Sequence, residues 1–138
     1  MTNKIEVNWK GHMLFESVAP EGSVLIDAAE EVGGQGKGLR PKAMMLSALA
    51  GCTAMDVASL LKKMRAEVKD FKISAEANLT DEHPKYYDKV KVTYHFYGND
   101  FKKDKIEKAV NLSVERYCGV MEMFRKFSEV STEIFYYE

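Results

Sequence analysis

The run from Pro41 to about Arg65 constrains this chain more than any other segment. Met44, Met45, Leu46, Leu49, Cys52, Met55, Leu60, Leu61 and Met64 surround nearly its whole helical circumference, with the small residues Ala48, Ala50 and Gly51 between them. A helix apolar on most sides has to be buried on most sides. Its ends are marked: Pro41 suits a first helical turn, and Lys62, Lys63 and Arg65 complement the carboxyl end of the helix dipole. Ser47, Thr53, Asp56 and Ser59 lie within the same run, and a carboxylate in mid-membrane is expensive, so a buried soluble helix is expected rather than a membrane span. A chain of 138 residues has little else with which to cover such a helix, which predicts an obligate homodimer with the helix at its centre.

The rest of the composition agrees with a folded chain. Apolar residues make up 46% and charged residues 30%, the balance of a globular domain, and one domain is expected across residues 1–138. Twenty Lys and Arg against 21 Asp and Glu leave a net charge of −1, too little field to attract nucleic acid or an anionic membrane. The N-terminus alternates charged and apolar residues without the apolar core of a signal peptide, so a cytoplasmic location is expected.

Local periodicity supplies the other elements. Ile5, Val7 and Trp9 alternate with polar residues, and Met13 to Val18 follows Lys10-Gly11, which predicts a hairpin; a short third strand is expected at Ser23 to Ile26. Asp27 to Val32 has helical composition, and Gly33 to Gly38 reads as a mobile connector or lid. Phe71 to Leu79 and Val90 to Phe96 show a period of two. Ile106, Ala109, Val110, Val114, Tyr117 and Cys118 recur at helical spacing, and Val130 to Tyr137 reads as extended. The expected class is α+β, with antiparallel sheets packed around a long buried central helix.

Several catalytic patterns are excluded. The glycine loop fails as a Walker motif because Glu31 stands at the first glycine position and Gly38 follows Lys37, and it fails as a dinucleotide loop because Leu39 replaces the third glycine. His12, His83 and His95 have no metal-ligand spacing, and no nucleophile elbow is present. The methionines at helical spacing are explained by packing.

Two cysteines remain, Cys52 and Cys118, too few and too far apart for a disulfide framework or a metal knuckle. The stretch Arg40-Pro-Lys-Ala-Met-Met-Leu-Ser-Ala-Leu-Ala-Gly-Cys-Thr-Ala-Met-Asp56 resembles the cysteine-bearing central helix of the OsmC/Ohr family, the osmotically induced and organic-hydroperoxide-resistance proteins. Glu-Arg-Tyr-Cys118-Gly-Val resembles the second cysteine motif of that family. The resemblance extends over essentially the whole chain and implies an intertwined homodimer that reduces organic hydroperoxides. It further implies Cys52 as peroxidatic and Cys118 as resolving cysteine, an external thiol or lipoyl-type dithiol as reductant, and no metal or other cofactor. The chain departs from the common pattern in two motifs and so resembles a divergent branch: Arg40-Pro41-Lys42 stands where an Asn-Pro-Glu run is usual, and Gly119 follows Cys118 where proline is usual. The N-terminal arginine of the family also has no counterpart, Arg40 being the first arginine.

Peroxide is attacked by thiolate, and an ordinary cysteine ionises near pH 8.5, so a peroxidatic Cys52 needs a stabilising charge. The helix start is too distant to supply it. Asp56 lies one turn beyond Cys52 on the same face and opposes ionisation, which calls for a bridging cation from Arg40, Lys42, Arg116 or Arg125. Met45, Leu49, Met55, Tyr117, Val120 and Phe124 near the two motifs favour a small hydrophobic hydroperoxide. The competing reading is a non-enzymatic binding or redox-sensing protein with inactive or weakly reactive thiols.

Overall fold

The computed structural model describes residues 1–138, which divide into two compact units, 1–45 and 46–138. The first unit is an antiparallel meander of β1 (Glu6–Trp9), β2 (Phe15–Ala19) and β3 (Gly22–Ile26). The turn between β1 and β2 uses positive φ at Gly11 and His12, and the His12 carbonyl accepts the Trp9 indole N–H at 2.7 Å.

After β3 the chain does not form the helix that its composition suggested. Only Glu30–Val32 makes a single 3-10 turn, and Asp27 organises what surrounds it. The Asp27 side chain is buried and accepts backbone N–H groups from Ala28 at 2.8 Å, Gln35 at 3.0 Å and Lys37 at 3.1 Å. Short acidic side chains compete in this way with helical hydrogen bonding. The same bonds correct the expectation of a mobile lid, because the glycine loop is laced to Asp27 and returns along β3, where Leu39 exchanges backbone bonds with Leu25 and Asp27. A side chain at Gly34 would collide with the Ala28 carbonyl oxygen, and a Cβ at Gly38 would lie 2.7 Å from the backbone of Leu25 and Ile26.

Helix α1 (Pro41–Lys63) ends two residues earlier than its composition suggests. Arg65 adopts φ 55°, Arg65 N–H donates to the Lys62 carbonyl and Ala66 N–H to the Leu61 carbonyl, the double bond of a Schellman stop. Two further terminal carbonyls, of Met64 and Arg65, accept the Lys105 and Lys102 ammonium groups at 3.0 and 2.8 Å.

In the second unit, β4 (Asp70–Leu79) and β5 (Tyr87–Tyr97) pair antiparallel, as expected. The final strand, β6 (Glu129–Tyr137), joins β5 in parallel, which corrects the antiparallel sheet expected there. The connection between them explains this: α2 (Lys103–Leu112), a π-turn (Ser113–Tyr117) and α3 (Gly119–Arg125) form a crossover long enough to bring the chain back to the starting edge. Where one continuous helix was expected as far as Cys118, the π-turn interrupts it.

The core of this unit is the apolar face of β5 (Val90, Val92, Tyr94, Phe96) against Leu49, Val57 and Leu61 of α1, Ile106 and Val110 of α2, and Met121 and Phe124 of α3. Only the stripe Leu49, Thr53, Val57 and Leu61 of α1 is buried within one chain. Burial on most sides is therefore not reached in a single copy, and Met55 remains 76% exposed. By length and composition alone α1 could also span a membrane. Its polar residues are otherwise engaged, since Thr53 and Asp56 hydrogen-bond within the unit.

Candidate functional site

Cys52 and Thr53 are consecutive residues of α1, so their side chains diverge by about 100° around the helix. Thr53 turns into the core and is fully buried, while Cys52 is half-buried at its edge. Asp56, one turn on from Cys52, is also half-buried.

Cys118 reaches the same place from the crossover. Its backbone N–H donates to the Ser113 carbonyl at 2.9 Å, the five-residue step that defines the π-turn. This widened turn ends the helix and leaves Cys118 extended, at φ −77° and ψ 102°, as the N-cap of α3. Its Sγ accepts the Met121 N–H at 3.3 Å, and the residue is 2% exposed. Cys52 is a neighbour of the Cys118 thiol, close enough to bear on its ionisation. Two cysteines far apart in sequence thus form one free-thiol pair.

The pair is surrounded by polar groups that the sequence did not single out. Thr53 Oγ1 is 2.8 Å from Tyr94 Oη and 2.7 Å from Ser113 Oγ, and Ser113 Oγ donates to Asp56 Oδ2 at 2.8 Å. Tyr94, Thr53 and Ser113 are each 0% exposed. Thr53 sat among apolar helix residues and Tyr94 in an alternating strand, where packing accounts for them. The one available signal was a buried-face threonine beside Cys52, which needs a hydrogen-bond partner.

Electrostatics at the pair oppose ionisation of the buried thiol. Burial pushes Cys118 up to about 11; the neighbouring Cys52 thiol and the Asp56 carboxylate push the same way, against the Met121 amide. Burial likewise pushes Tyr94 up to about 12, with the Thr53 hydroxyl opposing and the charges of Cys118 and Asp56 adding to it. None of these leading influences is a cation.

The expected activating residues are accordingly dispersed. Asp56 is at the pair. Arg116 is exposed and lies 5.7 Å from the ring centre of Tyr117. Arg125 donates to the Val114 carbonyl at 2.7 Å and to Glu122 at 2.9 and 3.2 Å. Arg40 is exposed in the first unit and makes no ion pair. Of the apolar residues expected to receive a hydroperoxide, Leu49 and Phe124 are closed into the core, whereas Met55 and Tyr117 are exposed. A groove of about 370 Å³ lined by Asp56, Ser59, Leu60, Lys63 and Tyr117 opens beside the carboxylate. No cluster of side chains suited to a metal ion is present.

Residues 34–133, a span containing the pair and its hydroxyl neighbours, match the family model described as OsmC-like protein. Protein YhfA of Escherichia coli strain K12 is 35% identical over 86 residues, covering 62% of this chain and 64% of that protein. A solved structure of a hypothetical protein from Aquifex aeolicus VF5 superposes with a TM-score of 0.86 at 28% identity, over 100% of this chain and 99% of the other. The organic hydroperoxide resistance protein OhrB of Bacillus subtilis shares the fold, with a TM-score of 0.65 at 19% identity over 98% of both chains. The family model spans well over half of the chain, including both cysteines, and leads to one conclusion: the chain belongs to the OsmC/Ohr family.

Proposed function

We propose that this protein reduces organic hydroperoxides with its thiol pair, in a peroxide-related stress role. What supports this reading is that Cys52 of α1 and Cys118 after the π-turn are neighbours, the one bearing on the ionisation of the other. Cys52, the more accessible thiol, attacks the peroxide as thiolate. The O–O bond breaks, the hydroxyl oxygen stays on sulfur as sulfenic acid, and the alkoxide released takes a proton from solvent and leaves as the alcohol. The Cys118 sulfur then attacks that of Cys52; the S–O bond breaks and water departs with the thiol proton of Cys118, leaving a disulfide. An external dithiol reduces the disulfide and is itself oxidised, so the cycle needs no metal or other cofactor.

Assembly belongs to the same reading. Met55, Tyr117 and Met123 are 76%, 52% and 62% exposed, and a second copy of the chain would cover them and supply the cation that the single chain does not place beside the thiols. A second function, redox sensing or binding without turnover, is favoured by the strongly raised Cys118 thiol.

One experiment separates the two. A single equivalent of an alkyl hydroperoxide is added to reduced protein, and the products are read by mass spectrometry. The expected product is a Cys52–Cys118 disulfide. Cys52→Ser should abolish peroxide consumption, and Cys118→Ser should stop at a sulfenic acid on Cys52. Undiminished turnover in Cys52→Ser would eliminate the peroxidase reading, and oxidation that never turns over with excess dithiol would leave the sensor.

A further inference from the structure

The solvent face of the sheet formed by β4, β5 and β6 breaks its own pattern at one end. Outward positions on β5 and β6 begin polar, with Lys91 opposite Ser131 and Thr93 opposite Glu133, and Lys91 pairs with Glu133 at 2.7 Å. The next two rows are aromatic: His95 lies opposite Phe135, and Tyr97 opposite Tyr137. Phe135 and Tyr137 are each 40% exposed, so burial does not account for the rings. They stack on one another instead. Tyr97 and Tyr137 have ring centres 4.9 Å apart with 18° between planes, and His95 and Tyr137 lie 5.8 Å apart at 22°.

Tyr137 Oη and His95 Nδ1 are 2.9 Å apart, and His95 Nε2 is 3.4 Å from Ser74 Oγ on β4. A phenol donates more strongly than an imidazole N–H, and an imidazole nitrogen accepts more strongly than a phenol oxygen. The short bond therefore runs from the Tyr137 hydroxyl to Nδ1, which leaves the Nε2 proton to point at Ser74. One-electron oxidation of a phenol needs this arrangement: loss of an electron makes the phenol a strong acid, so a base must already stand at its proton. An electron-rich ring stacked on the electron-poor one stabilises it, and Tyr97 is so placed. We propose that Tyr137 and His95 form a redox-active pair, a sink for the alkoxyl and peroxyl radicals that arise in one-electron breakdown of hydroperoxides. The radical takes one electron from Tyr137, the phenolic proton passes to His95 Nδ1, and the anion formed takes a proton from solvent and leaves as alcohol or hydroperoxide. A tyrosyl radical and an imidazolium remain. An external thiolate then returns the electron and His95 the proton, and two of the resulting thiyl radicals join as a disulfide. Successive strand residues face opposite sides, so this pair lies across the sheet from buried Tyr94 and does not depend on Cys52 or Cys118.

The test compares two tyrosines of one molecule. Tyr86 is 48% exposed, more than Tyr137, and no histidine ring is bonded to it. Flash-generated ruthenium(III) tris-bipyridine removes single electrons from the reduced protein, and tyrosyl radicals are trapped as nitroso adducts and located by peptide mass spectrometry. Tyr137 should be oxidised about tenfold faster than Tyr86 despite its lower exposure, because only Tyr137 has a base in place. His95→Gln, which keeps a hydrogen-bond acceptor but cannot take the proton, should bring Tyr137 down to the Tyr86 rate. His95→Ala should do the same, and imidazole added to it should speed Tyr137 more than Tyr86. Equal rates at the two tyrosines in the wild type overturn the proposal, and so does an undiminished Tyr137 rate in His95→Gln with native far-ultraviolet dichroism. Slower oxidation at Tyr137 than at Tyr86, the result if another chain covered the aromatic rows, overturns it too. The wild-type comparison stands whether or not the variants fold.

Discussion

Thr53 shows how much can depend on one hydroxyl. It is fully buried in a helix otherwise read as apolar, and it is the joint between Tyr94 and Ser113. Thr53→Val preserves shape but leaves the Tyr94 hydroxyl without an acceptor and Ser113 without a donor, in an interior that excludes water. An orphaned buried polar group costs about 1–3 kcal/mol. Thr53→Val should therefore lower unfolding stability by about 2–4 kcal/mol, measured by urea denaturation, far more than an isosteric change on a surface. Thr53→Ser, which keeps the joint and loses one methyl, should cost about 1 kcal/mol. Equal losses in the two variants would mean that packing alone holds the site.

At the scale of elements, the segment from Asp27 to Leu39 is shaped by one carboxylate. The amides of Gln35 and Lys37, with a smaller share from Ala28, hold the Asp27 carboxyl below its usual range. A carboxyl depressed in the folded state stabilises the fold fully above its unfolded value and loses that contribution as pH falls through the lower folded value. Acidification below the ordinary carboxylate range should therefore release this loop, read as faster amide exchange at Gln35 and Lys37. Asp27→Asn should show the same release at neutral pH. Unaltered exchange in that variant would mean that the Leu39 backbone pairing suffices. The π-turn is the other element whose form decides chemistry: an ordinary α-helical turn would carry Cys118 onward around the helix, whereas the five-residue step ends the helix and makes its sulfur a cap.

For the molecule as a whole, the main question is what covers α1. Its buried stripe is one row at spacing i, i+4, and exposed apolar residues remain elsewhere on the helix and on the segment after the π-turn. Sedimentation at micromolar concentration is expected to give about twice 15.7 kDa. Replacing Met55, 76% exposed in one copy, by Lys should dissociate the assembly and reduce peroxide turnover with it. A folded monomer with full turnover would show that one chain holds a complete site.

Much of this protein can be read in its residues. Period-two alternation located β4 and β5, periodic apolar residues located α1 and α2, and two short motifs singled out Cys52 and Cys118, because these are local patterns that backbone geometry translates directly. Asp56 was legible too, from its spacing to Cys52. Other features depend on groups distant in sequence. The parallel pairing of β6 with β5 follows from the path of the crossover, and the loop after β3 from a carboxylate collecting amides up to Lys37. The Tyr94–Thr53–Ser113–Asp56 relay joins a strand, a helix and a π-turn through side chains that had each looked like ordinary packing. Hydrogen-bond partners and burial are properties of the assembled interior, so only the tertiary structure could decide that buried hydroxyls, and not one of the expected arginines, reach Asp56 beside the thiols.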